Sequence, residues 1–133
     1  MSSLLNLSES AFLALHGMVV LAKAAPEKVR IKALASELKA SEAHLAKVFQ
    51  RLQKSGLVKS TRGPAGGYSL ITAPEEISFL DIYEAVESKV NMKTCPFGKL
   101  DCMYDSCIFD SSISGLSQNI YSTFANLKLS DYL

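Results

Sequence analysis

Six residues, RGPAGG at positions 62–67, limit the fold of this chain more than any other stretch. Three glycines and a proline in so short a run cannot sustain a helix, because glycine has the most backbone entropy to lose and proline removes an amide donor. Before the run stands LVKST and after it YSLI, with β-branched and aromatic residues on both sides. The stretch therefore predicts a β-hairpin with strands near 57–61 and 67–71 and a glycine-rich tip.

The chain before the hairpin reads as helical. Ser8 suits an N-cap for a helix over about 9–25, in which Phe12, Leu15, Val19 and Ala22 recur at helical spacing. Leu13, Ala14, Met18 and Leu21 widen the apolar surface beyond one stripe. A helix this apolar is expected to be covered on several sides, by its own domain and by a second subunit. APEK at 25–28 breaks the chain, and Ile31, Leu34, Ala35 and Leu38 then predict a short amphipathic helix. Ser41 offers the next N-cap, and Gly56 suits the left-handed position just past a helix end. Between them Leu45, Val48, Phe49 and Leu52 form a buried stripe, which leaves Ala43, His44, Lys47, Gln50, Arg51 and Lys54 outward.

After the hairpin, Ser78 and Asp81 stand at capping-box spacing, with Ile77 and Ile82 placed as a hydrophobic staple. Pro96, Gly98 and scattered aspartates make the next stretch an irregular loop, and Ile113, Leu116, Ile120, Phe124 and Leu127 predict a final helix. Two short helices followed at once by a glycine-tipped hairpin is the order of a winged helix-turn-helix. The expected fold is mainly α with a small β-hairpin: a winged helix-turn-helix over 1–88, a cysteine-containing loop over 89–110 and a long dimerisation helix over 111–133.

At 133 residues and 48% hydrophobic content, the chain suffices for one core and not two. The apolar run 11–25 has the look of a signal-peptide core, but no positive charge precedes it, Glu9 does, and His16 and Lys23 interrupt it. It also falls short of the ~18 uninterrupted apolar residues of a membrane span. The expectation is a cytoplasmic protein with no membrane partner.

A net charge of +1 hides a segregation. From Ala43 to Pro74 stand five cations, Lys47, Arg51, Lys54, Lys59 and Arg62, and no acid, while the remainder holds nine cations and thirteen acids. Five cations on a helix face and a turn can be no more than a solvated surface. Their placement argues for phosphate instead: the start of such a helix, at Ser41, Ala43 and His44, can reach base edges in a major groove. An arginine at a hairpin tip, Arg62, suits the negative potential of a narrow minor groove, and Gly63, Gly66 and Gly67 permit close backbone approach there.

All three cysteines, Cys95, Cys102 and Cys107, fall within thirteen positions. In a reducing compartment an odd count argues against a structural disulfide. The spacing C-x6-C-x4-C has neither the close pairs of a zinc ribbon nor the C-x-x-C of thiol–disulfide catalysis. Taken alone, the trio could serve an iron–sulfur cluster, an incomplete zinc site, a thiol switch or simple packing.

LQKSGLVKSTRGPAGGYSL, residues 52–70, resembles the winged-helix signature of the Rrf2 family, which includes the IscR, NsrR, RirA and CymR regulators. LSESAFLALHGMVVLA resembles the first helix of that family, ISFLDIYEAVE the helix after the wing, and LKLSDYL the end of the long dimerisation helix. The resemblance covers nearly the whole chain. It implies a homodimeric transcription regulator that sets two recognition helices about 34 Å apart on near-palindromic double-stranded DNA. It also implies that Cys95, Cys102 and Cys107 hold a two-iron or four-iron iron–sulfur cluster that senses iron, redox state or nitric oxide. Family members with a histidine three residues after the third cysteine would place the fourth ligand at Asp110, a harder donor than the cluster usually takes. Others take it from the partner's first helix, where His16 and Glu9 are the candidates; an interface histidine with a hydrogen-bonded ring is the plainer account of His16. Where IscR-like members carry a base-reading Glu after the Leu of the recognition helix, this chain has Ala46 after Leu45, which implies a different DNA site.

Two alternatives keep the same fold. One is a DNA-binding dimer controlled by thiol oxidation or by docking of a metabolic enzyme, as the CymR-like branch suggests; the other is a winged-helix module that binds only protein. Enzyme readings fare poorly, since no G-K-[ST] follows RGPAGG and neither histidine lies near a nucleophile in sequence.

Overall fold

The computed structural model describes residues 5–90, 104, 105, 107 and 111–133. Three of the helices begin where a serine side chain satisfies an amide that the helix itself leaves unpaired. In α1 (Glu9–Ala24) Ser8 accepts from the Ala11 amide at 3.0 Å. In α3 (Glu42–Lys54) Ser41 accepts from the His44 amide at 3.3 Å. In α4 (Phe79–Val86) the capping box is complete: the Asp81 amide donates to Ser78 Oγ at 3.0 Å, and the Ser78 amide donates to Asp81 Oδ2 at 2.9 Å. The predicted staple residues Ile77 and Ile82 are both fully buried.

Helix α3 stops as its sequence requires. Gly56 takes φ +80°, and the Leu57 and Gly56 amides close back onto the carbonyls of Leu52 and Gln53 at 3.1 and 3.0 Å, a Schellman motif. The chain then enters β1 (Val58–Thr61) and returns along β2 (Gly67–Leu70), antiparallel, with Val58 opposite Leu70 and Thr61 opposite Gly67. A bridge between Val29, just before α2 (Ile31–Leu38), and Tyr68 adds a third edge to this wing.

One core holds these pieces together. Met18 and Leu21 of α1, Leu34 of α2, Leu45, Phe49 and Leu52 of α3, and Ile82 of α4 are at most 1% exposed. The apolar run that resembled a leader thus forms the central helix of the domain, and no helix among the described residues is long and apolar enough to cross a membrane.

The end of the chain departs from expectation. The last helix, α5, spans Ser111–Asn126 and does not continue to 133. Residues 127–129 instead run beside 77–79: the Phe79 amide donates to the Leu127 carbonyl, and the Leu129 amide to the Ile77 carbonyl, both at 2.9 Å. A short 3-10 turn, Leu129–Tyr132, follows, and Leu129 is fully buried. Leu127 does fit the helical period of α5. Backbone pairing with the start of α4 and burial of Leu129 outweigh another turn of helix, so LKLSDYL belongs to the globular domain and not to a dimerisation helix.

Candidate nucleic-acid interface

The stripe Leu45, Val48, Phe49 and Leu52 fixes which side of α3 is free. Ala43, Lys47, Gln50 and Lys54 are exposed, as are Lys59 on β1 and Arg62 and Gly63 at the wing tip. Helix and wing are joined through the core: the Phe49 and Tyr68 rings meet edge to face with centroids 5.1 Å apart. Gly17 of α1 makes room for this, since a Cβ there would lie 2.9 Å from the Phe49 ring. Among the described residues Lys47, Lys54, Lys59 and Arg62 have no carboxylate partner, and no acid interrupts the run from Ala43 to Pro74. This is an unneutralised cationic surface on two adjoining elements.

Four expected contact residues turn out to have work within the fold. His44 does not point outward: Nε2 lies 3.2 Å from Ser10 Oγ and Nδ1 lies 3.7 Å from Glu9 Oε1, so the ring is tied to the start of α1. Arg51 donates from Nη1 to the Val86 carbonyl at 2.9 Å, bracing the last turn of α4. Gly66 is buried inside the hairpin, where a Cβ would come within 2.2 Å of the Thr61 carbonyl oxygen; its missing side chain serves the turn. Ser41, though exposed, already accepts the capping bond. Facing outward on an isolated helix differs from being free in the fold: His44 and Arg51, two turns apart on the same edge of α3, are engaged by the start of α1 and the end of α4. Arg30, which the acid-free run does not include, was missed: its guanidinium reaches the wing tip and donates to the carbonyls of Pro64 and, at 3.4 Å, Gly63.

Of the candidate cluster ligands, Cys95, Cys102 and Asp110 lie outside the described residues, and Cys107 is exposed. Among the described residues no group of three or more His, Cys, Asp and Glu side chains could hold a metal ion. The two first-helix candidates differ in readiness. Glu9 faces His44, whereas His16 is exposed, stacks on Phe12 with centroids 4.0 Å apart, and sets Nδ1 2.8 Å from the Phe12 carbonyl. A bond from Nδ1–H to a backbone carbonyl leaves the Nε2 lone pair for a metal, the tautomer that ligating histidines use. His16 therefore fits a cluster ligand chemically better than Glu9. The end of α4 is also linked to the start of α1 and to α3. Ser8 donates to Glu87, and Arg51 holds Val86 nine residues before Cys95.

On α5, Ile113, Leu116 and Ile120 are exposed on one side, while Phe124 packs edge to face against Phe79 and Tyr83. A second apolar surface, a groove of about 750 Å³, runs along α1 past Leu15, Val19, Val20, Leu38 and Phe79.

Comparison with known proteins gives these features a setting. Residues 7–133 match the family Rrf2, described as an iron-dependent transcriptional regulator. The chain is 30% identical over 126 residues to the HTH-type transcriptional regulator IscR of Cereibacter sphaeroides, covering 92% of this chain and 81% of that one. It is 34% identical over 94 residues to IscR of Aliivibrio salmonicida, covering 70% of this chain and 55% of that one, so it spans little more than half of that relative. Its fold is similar to the structure of CymR (YrzC), the global cysteine regulator of B. subtilis, with a TM-score of 0.79, 25% identity and coverage of 96% and 95%. It is also similar to T. potens IscR, with a TM-score of 0.77, 26% identity and coverage of 96% and 85%.

Proposed function

The chain belongs to the Rrf2 family of transcriptional regulators, and on that premise we propose that it is a homodimer that binds double-stranded DNA and reads its cysteine segment as the signal. The family is one of regulators, not of enzymes. The observation that carries the DNA reading is the exposed, unneutralised set Lys47, Lys54, Lys59 and Arg62 on α3 and the wing. Phosphate neutralisation needs cations without an internal carboxylate partner, and these four meet that condition among the described residues; Arg51 keeps its charge too, but one of its nitrogens is committed to the Val86 carbonyl. Ala43 and Gln50 are then the residues available to base edges, and Arg62 to the minor groove. The dimer is supported by the bare apolar side of α5.

In this reading Cys95, Cys102 and Cys107 hold an iron–sulfur cluster, with Asp110 or the partner's His16 as fourth ligand; the histidine is favoured by its tautomer. The cluster, when bound, supplies a rigid and redox-sensitive brace for the segment. The chain's own contribution is the link from that segment to α3, since Arg51 grips the helix from which the segment leaves. Cluster state and operator affinity then share a coupling free energy, about 1–3 kcal/mol in typical cases.

The test is a single anaerobic preparation, examined by visible absorption and by iron and sulfide analysis, and used to select an operator from a random duplex pool. Holo and apo forms should differ in operator affinity by about 5- to 150-fold. Equal affinity for a duplex that both forms bind would sink the coupling. A second reading, thiol oxidation without a cluster, is favoured by the exposure of Cys107 and by the likeness to CymR, whose Staphylococcus aureus form has an oxidized crystal structure (TM-score 0.74, 25% identity, coverage 94% and 93%). Absence of iron and sulfide together with an affinity change on mild oxidation would select it.

A further inference from the structure

The residue that opens α2 is Arg30, where helices favour Ser, Thr, Asp or Asn, and its side chain makes no capping bond. It crosses to the wing instead. One guanidinium nitrogen, Nη2, donates to the carbonyls of both Pro64 and Gly63.

The stem of the wing is fixed without it. Val29 and Tyr68 exchange both backbone bonds, at 2.9 and 2.7 Å, and Gly67 at φ +145° lies so close that a Cβ would meet the Val29 carbonyl carbon at 2.9 Å. Tyr68 in turn packs on Phe49 of α3. The tip is different: residues 62–65 are all exposed. Among the described residues, the turn is held only by the bond from the Gly66 amide to the Gly63 carbonyl at 2.9 Å and by Arg30. A turn with so few internal bonds samples several settings, and one nitrogen that donates to two neighbouring carbonyls selects one. The same cation covers two oxygens that would otherwise face the phosphates.

We infer that Arg30 is a positioning residue for the wing: by holding the carbonyls of Gly63 and Pro64 against the start of α2, it fixes where Arg62 meets the DNA. This rests on the DNA-binding reading above.

Two measurements on the full chain separate that reading from the inference. The first needs no DNA. In Arg30→Ala the Gly66 amide should exchange hydrogen about tenfold faster, while core amides such as that of Leu52 are unchanged. Arg30→Lys, whose ammonium can also donate from one nitrogen but on a shorter and more flexible side chain, should restore protection only in part. Unchanged exchange at Gly66 overturns the inference whatever the DNA result. The second uses the duplex that the unaltered protein selects from a random pool. Arg30→Ala should weaken binding about tenfold, the scale of one ordering step, and Arg62→Ala should weaken it more. The double variant should bind no more weakly than Arg62→Ala alone, because Arg30 acts through Arg62. Additive losses would mean that Arg30 touches phosphate on its own account and would overturn the inference. Failure of the unaltered protein to select any duplex would overturn the DNA reading and, with it, the assignment of Arg30 to wing placement.

Discussion

In α3, Leu45, Val48, Phe49 and Leu52 are 0–1% exposed, whereas in α5 Ile113, Leu116 and Ile120 are 44%, 59% and 43% exposed. The two helices carry the same apolar spacing, so the period shows that a face exists without showing what covers it. For α3 the cover is α1, α4 and the wing of the same chain. For α5 only the last turns, at Phe124, rest on α4, and the remainder of its apolar side is bare among the described residues. Such a stripe is where a second copy of the chain would pack.

The sharpest way to break this comparison is to remove one side chain from each stripe. Phe49→Ala empties a fully buried site shared by α1, α3 and the wing and should cost about 3–5 kcal/mol, read from the chemical denaturation midpoint. Leu116→Asp should leave the protomer's fold within about 0.5 kcal/mol. Its effect should fall on association, weakening the dimer by about 2 kcal/mol or more in sedimentation equilibrium, as expected for an anchor in an apolar interface. If Leu116→Asp melts the protomer as Phe49→Ala does, the cover of α5 lies within the chain and the contrast disappears.

What could be read from the sequence divides along the same line. Features decided within a few residues were legible: the caps at Ser8, Ser41 and Ser78, the stop at Gly56, the hairpin over RGPAGG and the burial of the α3 stripe. Features decided by distant chain were not. His44 and Arg51 lie on the polar side of α3 in any helical projection, and only the approach of α1 and α4 engages them. Leu127 extends the apolar period of α5, yet the fold uses residues 127–129 for pairing with 77–79. Arg30 is separated from Pro64 by 34 residues, and the one available hint was an arginine where an N-cap serine or threonine is usual. The cysteine segment was legible as a motif, yet Cys95 and Cys102 fall outside the described residues, so their role rests on resemblance and on His16.

Two glycines carry the comparison to its finest scale, because the same substitution should act with opposite sign. On α1, Gly17 lies under Phe49, and Gly17→Ala would set a Cβ 2.9 Å from a ring that is locked in the core. The crowding should cost about 1–3 kcal/mol despite alanine's better helix propensity. On α5, Gly115 is exposed and a Cβ there would meet nothing within 4 Å. At about 100° per residue it stands roughly 130° from the centre of the stripe formed by Ile113, Leu116 and Ile120, on the side turned away from any partner that the stripe recruits. Gly115→Ala should therefore stabilise the protein by about 0.5–1 kcal/mol, since glycine within a helix has more backbone freedom to lose than alanine. The dimer dissociation constant should not change. A stabilised protomer with a weakened dimer would show that the partner reaches round to Gly115, so that small size on α5 serves close helix approach and the stripe is broader than its three apolar residues.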